Sequence, residues 1–247
     1  MKKSFATLGV LLILATGATF AQAPEDEEEP VTIEDVFLRQ QIELQILASQ
    51  ARSTDRENKL IALETIREMH DDGEMDSSPE TFAILELLAT EGTSNQVRSA
   101  GRVINNYPVV RAAAAALLGD MGSARAQNVL LTMVREDPEP MVLAEAIYAL
   151  GKIGPEDNGD MVADHIVYTL TRENAKIAPD NNLAMATLLA LQKLFEAGIE
   201  FEDPGQLRDT VGLIIDISTN YRYITIVRER ARDVLANLTG TNDDEEE

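Results

Sequence analysis

A stretch of fifteen residues occurs twice in this chain, 32 positions apart. PVVRAAAAALLGDMG begins at Pro108 and PMVLAEAIYALGKIG at Pro140, and seven of the fifteen positions are identical: Pro108 with Pro140, Val110 with Val142, Ala112 with Ala144, Ala114 with Ala146, Leu118 with Leu150, Gly119 with Gly151 and Gly122 with Gly154. A repeat between roughly 20 and 50 residues long is a single supersecondary unit that cannot bury its own apolar face, so neighbouring copies must stack. Fainter copies keep only the apolar skeleton. Leu183, Ala186 and Ala190 follow Val142, Glu145 and Ala149; Val227, Ala231 and Leu235 follow Val142, Ala146 and Leu150; Leu60, Leu63 and Ile66 mark an earlier copy.

Each copy alternates with a second apolar segment, at 79–91, 124–136, 160–175 and 205–218, so the unit is a helix pair. Aromatics make up 4% of the residues and tryptophan is absent, while 45% are hydrophobic. The core must therefore be made of Leu, Ile, Val, Ala and Met, a mixture suited to close helix packing. Capping residues punctuate the pattern. Thr54 and Glu57 have capping-box spacing ahead of NKLIALETIREM, which Gly73 closes; Ser78 precedes Pro79, and Asp203 precedes Pro204 and Gln206. Gly119 suits the positive backbone angle that ends a helix, and Gly122 a turn toward the partner helix. The expected fold is all-α, a right-handed solenoid of stacked antiparallel helix pairs over residues 33–240. VTIEDVFLRQQIELQILASQA, residues 31–51, supplies a capping helix or helix pair at the open end.

VVRAAAAALLGDMG and EDPEPMVLAEAIYALGKIG resemble HEAT repeats, in particular the short bacterial kind found in phycobiliprotein lyases. Such repeats read Asp-Pro-x-Pro-x-Val-Arg, then alanines, then Leu-Gly-x-x-Gly. Asp137, Pro138, Pro140 and Val142 match the second copy, and Val110 with Arg111 the first. The resemblance is strongest over 108–154. It implies a surface for protein partners, and it names none.

The two ends have a different composition. MKKSFATLGVLLILATGATFAQA has a charged start, a short apolar run and small residues at its end, the pattern of a cleaved secretory signal. Cleavage after Ala21 is preferred to cleavage after Ala23, which would leave Pro24 first. The expected location is therefore secreted or periplasmic, with no stable membrane insertion once the leader is removed. PEDEEEP at 24–30 and DDEEE at 243–247 are acidic runs with little to bury, expected to be disordered. With 43 acidic residues against 21 basic ones and a net charge of −22, nucleic acid and anionic lipid are poor partners. No cysteine is present, which removes disulfides and thiol chemistry.

The inventory for catalysis is thin. His70 and His165 are the only histidines, and one histidine per site without cysteine is a poor ligand set for a transition metal. Neither GPEDNGD at 154–160 nor the acidic tails have the ligand spacing of a calcium loop, and GDMG at 119–122 lacks the lysine of a phosphate loop. The chain is expected to be non-catalytic and to need no cofactor. An accessory lyase-like protein and an acidic cation-binding envelope protein are the alternatives.

The repeat pattern breaks at EGTSNQVRSAGRVINNY, residues 91–107. A short helix from Ser94 and an extended loop both suit this insertion. Arg98, Arg102, Arg111 and Arg125 gather here in an otherwise acidic chain, beside Asn105, Asn106 and Tyr107. Two readings follow. In one, Arg98, Arg102, Asn105, Asn106, Tyr107 and Arg111 form a recognition surface for an acidic peptide of a protein partner; in the other, the arginines are internal salt bridges that fasten the insertion to neighbouring helices.

Overall fold

The computed structural model describes residues 33–73, 78–155, 158–174 and 178–239. The leader and both acidic runs lie outside them. The chain divides into two compact units, residues 1–40 and 41–247. Of the first, the described residues are the opening turns of helix α1, Ile33–Ala51. In the second unit α1 buries Leu47 and Ala51, so the expected cap is a single helix there.

Nine further helices are found among the described residues: α2 Arg56–Asp71, α3 Pro79–Ala89, α4 Pro108–Met121, α5 Ala124–Glu136, α6 Pro140–Ile153, α7 Gly159–Asn174, α8 Asn181–Glu196, α9 Pro204–Thr219 and α10 Thr225–Thr239. Two layers result. In the first, α2, α4, α6, α8 and α10 pack side by side in that order; in the second, α3, α5, α7 and α9 do the same, and the layers join through pairs such as α5 on α6 and α9 on α10. This is an all-α solenoid of packed helix pairs. The only strands described, β1 Arg98–Ser99 and β2 Arg102–Val103, belong to the insertion.

Local chemistry accounts for most helix starts. Ser78, Ser123, Asp180 and Asp203 each accept a backbone N–H of the first turn, and proline opens α3, α4, α6 and α9. At α2 the cap is Asp55, which accepts from the Glu57 N–H, and not Thr54. Thr54 is drawn elsewhere: its carbonyl accepts a hydrogen bond from the Tyr107 hydroxyl at 2.9 Å.

The two repeated glycines of each copy divide the work differently from expectation. Gly122 ends α4 with φ 58°, and Gly154 ends α6 with φ 93°. Gly119 and Gly151 lie inside their helices, where they let the next first-layer helix approach. A Cβ on Gly119 would stand 2.8 Å from the Ala149 Cβ, and one on Gly151 would stand 2.5 Å from the Ala190 Cα. Both distances are too short for carbon atoms, so the small pairs Gly119–Ala149 and Gly151–Ala190 set the spacing of α4, α6 and α8.

Four first-layer helices bury the same i, i+3, i+4, i+7 set. These are Lys59, Ala62, Leu63 and Ile66 on α2; Arg111, Ala114, Ala115 and Leu118 on α4; Leu143, Ala146, Ile147 and Leu150 on α6; and Ala184, Thr187, Leu188 and Leu191 on α8. The leading position is cationic in the first two and apolar in the last two.

Candidate functional site

The insertion is extended, not helical. Arg98 pairs with Val103 and Ser99 with Arg102 in an antiparallel hairpin closed by Ala100 and Gly101, whose φ angles are 48° and 79°. Positive φ at both central residues is the requirement of a tight two-residue hairpin turn, and Ala100 is the only non-glycine described residue that adopts it. Asn105 holds the base together. It is buried, its Oδ1 accepts from the Val97 N–H at 2.8 Å, and its Nδ2 donates to the Asn95 carbonyl at 2.9 Å. Gly92 leaves room for this backbone, since a Cβ there would stand 2.7 Å from the Asn105 carbonyl oxygen. Ser94 adds a hydrogen bond to Glu136 at the end of α5.

Arg111 is not a surface residue. It is fully buried, and its guanidinium grips Asp137 with two hydrogen bonds, Nε to Oδ2 at 2.5 Å and Nη2 to Oδ1 at 3.2 Å. Its remaining donor group reaches the Glu91 carbonyl at 3.1 Å and the Asn106 Oδ1 at 2.8 Å. With four of its five N–H groups engaged and no exposed surface, Arg111 cannot reach a partner, so it leaves the recognition set and becomes the fastener of the insertion. The same holds for the Asn105 side chain and the Asn106 Oδ1, which are occupied within the fold. Tyr107 is half-buried and joins the insertion to Thr54.

The fastening is used twice. Lys59 on α2 is buried against Glu91, which follows α3, with Nζ–Oε1 at 2.7 Å, and it also donates to the Ala51 carbonyl at the end of α1. Arg111 on α4 pairs with Asp137 at the end of α5, and also donates to the Glu91 carbonyl. Each cation thus clips its own helix pair and caps the chain of the preceding element. Asp137 does one thing more. Its Oδ1 accepts the Glu139 N–H at 2.9 Å, which shapes the turn into α6.

Arg98 and Arg102 are exposed, and they do not form one patch. Directly opposed residues of a hairpin share a face, so Arg98 lies with Val103 and Arg102 with Ser99 on the other side. Arg98 donates to the Gln96 Oε1 and the Gly101 carbonyl. Arg125 is spent within the fold, 3.3 Å from Glu86 and over the Phe82 ring. The basic cluster of the sequence is therefore a hairpin with one arginine on each face, above a buried fastener.

Small residues dominate the outward face of α4, and larger apolar residues mark the helix starts of the first layer. Val109, Met141 and Ile226 hold corresponding places at the starts of α4, α6 and α10 and are 49%, 51% and 61% exposed; Asn182 takes that place on α8. Beyond Val109, α4 shows only Ala112, Ala113 and Ala116 before Asp120, which is paired with Lys152 of α6. Lys193 of α8 lies 5.4 Å from the Tyr148 ring centroid. Amid these residues Glu145 of α6 is half-buried, and burial, followed by the charge of Asp120, pushes its pKa up; Arg67 of α2 pulls it the other way.

The second layer offers a groove of about 620 Å³ between α7 and α9, rimmed by Asp164, Asp209, Asp216 and Arg208. Among the described residues no three His, Asp or Glu side chains converge as a metal site, and no helix is long and apolar enough to cross a membrane. His70 lies 3.3 Å from Asp71 at the end of α2, and His165 is half-buried on α7.

The helix pairs repeated at an offset of 32, with glycines at the same contact, lie where the sequence is similar to a known family. Residues 105–175 match the family model of HEAT repeats. The matched stretch opens at Asn105 and runs through α4, α5, α6 and α7, so it includes Arg111, Asp137 and the Gly119–Ala149 contact, whereas Ala190, against which Gly151 packs, lies beyond it. No curated protein and no solved structure matches the chain. HEAT repeats commonly mediate binding between proteins, and the exposed places found here lie on the hairpin and on the first-layer face.

Lys59 and Glu145 are not among the residues singled out from the sequence, although each left a signal there. Lys59 was legible as a cation standing at the apolar spacing of Ala62, Leu63 and Ile66, and Glu145 as the acid that replaces Ala113 at the 32-residue offset.

Proposed function

We propose that this chain is an exported, non-catalytic scaffold that binds another protein through its HEAT-repeat surface. The observation that carries the proposal is the row of exposed apolar side chains, Val109, Met141 and Ile226, at one repeated position of the first layer. Single exposed apolar residues are ordinary on any surface, but Val109 and Met141 recur at one register of adjacent helices, and Ile226 returns to it beyond Asn182 of α8. The hairpin arginines supply positive charge next to it in a chain of net charge −22, and so favour an acidic segment of the partner there.

Two experiments test the reading. Recovery of partners on the tagged full chain is expected to fall when Met141 and Val109 are both changed to aspartate, while the melting temperature holds; undiminished recovery removes the strip from binding. Arg98 and Arg102 are then replaced together, and an unchanged recovery removes the hairpin. Export is tested separately by sequencing the N-terminus of the recovered chain. A start at Gln22 supports cleavage after Ala21, whereas an intact Met1 in the cytoplasmic fraction defeats the assignment.

A further inference from the structure

We infer that the uncovered side of α10 binds an acidic segment of a partner protein, whose carboxylates meet Arg228 and Arg232. This rests on the scaffold reading and adds to it a second site, apart from the hairpin.

Arg228 holds on α10 the place that Lys59 holds on α2 and Arg111 on α4. Its N–H donates to the Ile224 carbonyl ahead of α10, as the Arg111 N–H donates to the Tyr107 carbonyl ahead of α4, and Val227 precedes it as Val110 precedes Arg111. The set that α4 buries as Arg111, Ala114, Ala115 and Leu118 is therefore Arg228, Ala231, Arg232 and Leu235 on α10. On α4, α6 and α8 all four places are buried. On α10 only Ala231 is; Arg228 and Leu235 are half-buried and Arg232 is exposed, since no helix follows α10 among the described residues to cover them.

The acid of this third joint is missing. Lys59 is met by Glu91 and Arg111 by Asp137, each where the next second-layer helix ends. Arg228 has no such carboxylate: its Nη2 donates to the Thr225 Oγ1 at 3.2 Å, and its Nε is buried without a hydrogen-bond partner among the described residues. The buried Nε of Arg230, on the outward side, also lacks one. Glu229 and Asp233 share the helix, yet Arg228, Arg230 and Arg232 hold no ion pair among the described residues. A polar end face suffices to keep a solenoid soluble, and the acids that prevail in this chain would serve for that. Arginine at the joint adds a donor fork shaped for carboxylates, and a desolvated N–H without an acceptor is held at a cost that a carboxylate removes. Arg228 and Arg232 stand one helical turn apart on one face, with Leu235 next along it. One segment carrying two acids and then an apolar residue matches that row.

The test pans a display library of short random peptides against the full-length chain. The expected result is enrichment of peptides with two acids beside an apolar residue. A synthetic peptide of the consensus should bind on the order of tenfold more weakly to Arg228→Gln and to Arg232→Gln, and as tightly as before to the variant with Arg98→Ser and Arg102→Ser. Arg232 is exposed, so its replacement leaves the fold intact; thermal melting checks the same for Arg228→Gln. Changing the peptide's acids to amides should erase the difference between wild type and Arg232→Gln. Enriched peptides without acids, binding lost in the hairpin variant but kept in both α10 variants, or no enrichment at all would each overturn the inference. The panning is repeated on a full-length variant in which residues 243–247 are changed to asparagine and glutamine. The same peptides enriched there support a partner, whereas binding seen only there gives the site to the chain's own acidic run and overturns it. None of these variants touches Val109 or Met141, so a partner lost in that experiment and a peptide lost in this one are separate failures.

Discussion

The first two helix pairs and the next two close the same joint with opposite chemistry. At the leading buried position α2 and α4 place Lys59 and Arg111, while α6 and α8 place Leu143 and Ala184. The cationic joints hold two chain ends at once, an acid that ends the second-layer helix of the pair and a backbone carbonyl of the element before it. The apolar joints hold only neighbouring side chains. The difference follows the connections. Between α3 and α4 the chain makes the 91–107 excursion, whose backbone must find donors and acceptors near the core, and Arg111 and Asn105 provide them, with the Asn106 Oδ1 accepting from Arg111. A leucine can fill the joint, but it cannot anchor a loop.

The largest effect should come from breaking the clip. Asp137→Ala leaves Arg111 charged and buried without its carboxylate, and is expected to cost about 3–5 kcal/mol, read as a fall in the urea midpoint; the hairpin should become protease-sensitive at the same time. Replacing both partners, with Arg111→Leu to imitate Leu143 and Asp137→Asn to keep the acceptor for Glu139, should recover much of that loss. If the double variant is no better than the single one, the contrast between the two kinds of joint is wrong.

Next in size are the close helix contacts. Gly151→Ala drives a Cβ to 2.5 Å from the Ala190 backbone, and Ala114→Leu adds bulk at a fully buried position; each should cost roughly 1–3 kcal/mol. Gly119→Ala should cost less, because its new Cβ would stand 2.8 Å from the Ala149 Cβ and 3.0 Å from the Ala149 Cα, a less severe overlap. Paired melting curves of the two glycine variants rank the contacts, and the reverse order would show that α4 and α6 can shift more easily than α6 and α8.

A smaller effect has a definite pH dependence. Burial raises the Glu145 pKa above its unfolded value, so between the two values the folded chain binds more protons than the unfolded one. Stability from this group is therefore present at acidic pH and lost as pH rises through the folded value. Glu145→Gln should remove that slope and leave the variant slightly more stable than wild type at neutral pH, as read from melting temperatures across the acid range. Smallest of all, joint replacement of Arg98 and Arg102 by serine should change stability by no more than about 0.5 kcal/mol, since both are exposed and neither holds an ion pair among the described residues. A larger loss would make the hairpin part of the fastening rather than an exposed element.

Legibility in the sequence tracks the range of the interactions. Helix starts at Ser78 and Asp203 were readable because a cap and its N–H are neighbours in the chain. Thr54 misled because Asp55 next to it competes for the same helix end and wins it. Gly119 misled in another way: nothing nearby in the chain reveals that Ala149 will lie against it. The arginines of the insertion look like one group in the sequence, yet the hairpin turn sends Arg98 and Arg102 to opposite faces, and Arg111 is swallowed by the repeat.

By itself the sequence determined the all-α class, the helix pairs and the stacking, because a 32-residue period with small residues at helical spacing leaves each pair an apolar face that only another copy can cover. The tertiary structure alone decided which charges are spent and which are free. Arg111 meets Asp137 across 26 residues, whereas Glu145 holds no hydrogen bond or ion pair among the described residues. Partners of that kind are set by the stacking of whole helices, and no local pattern records them.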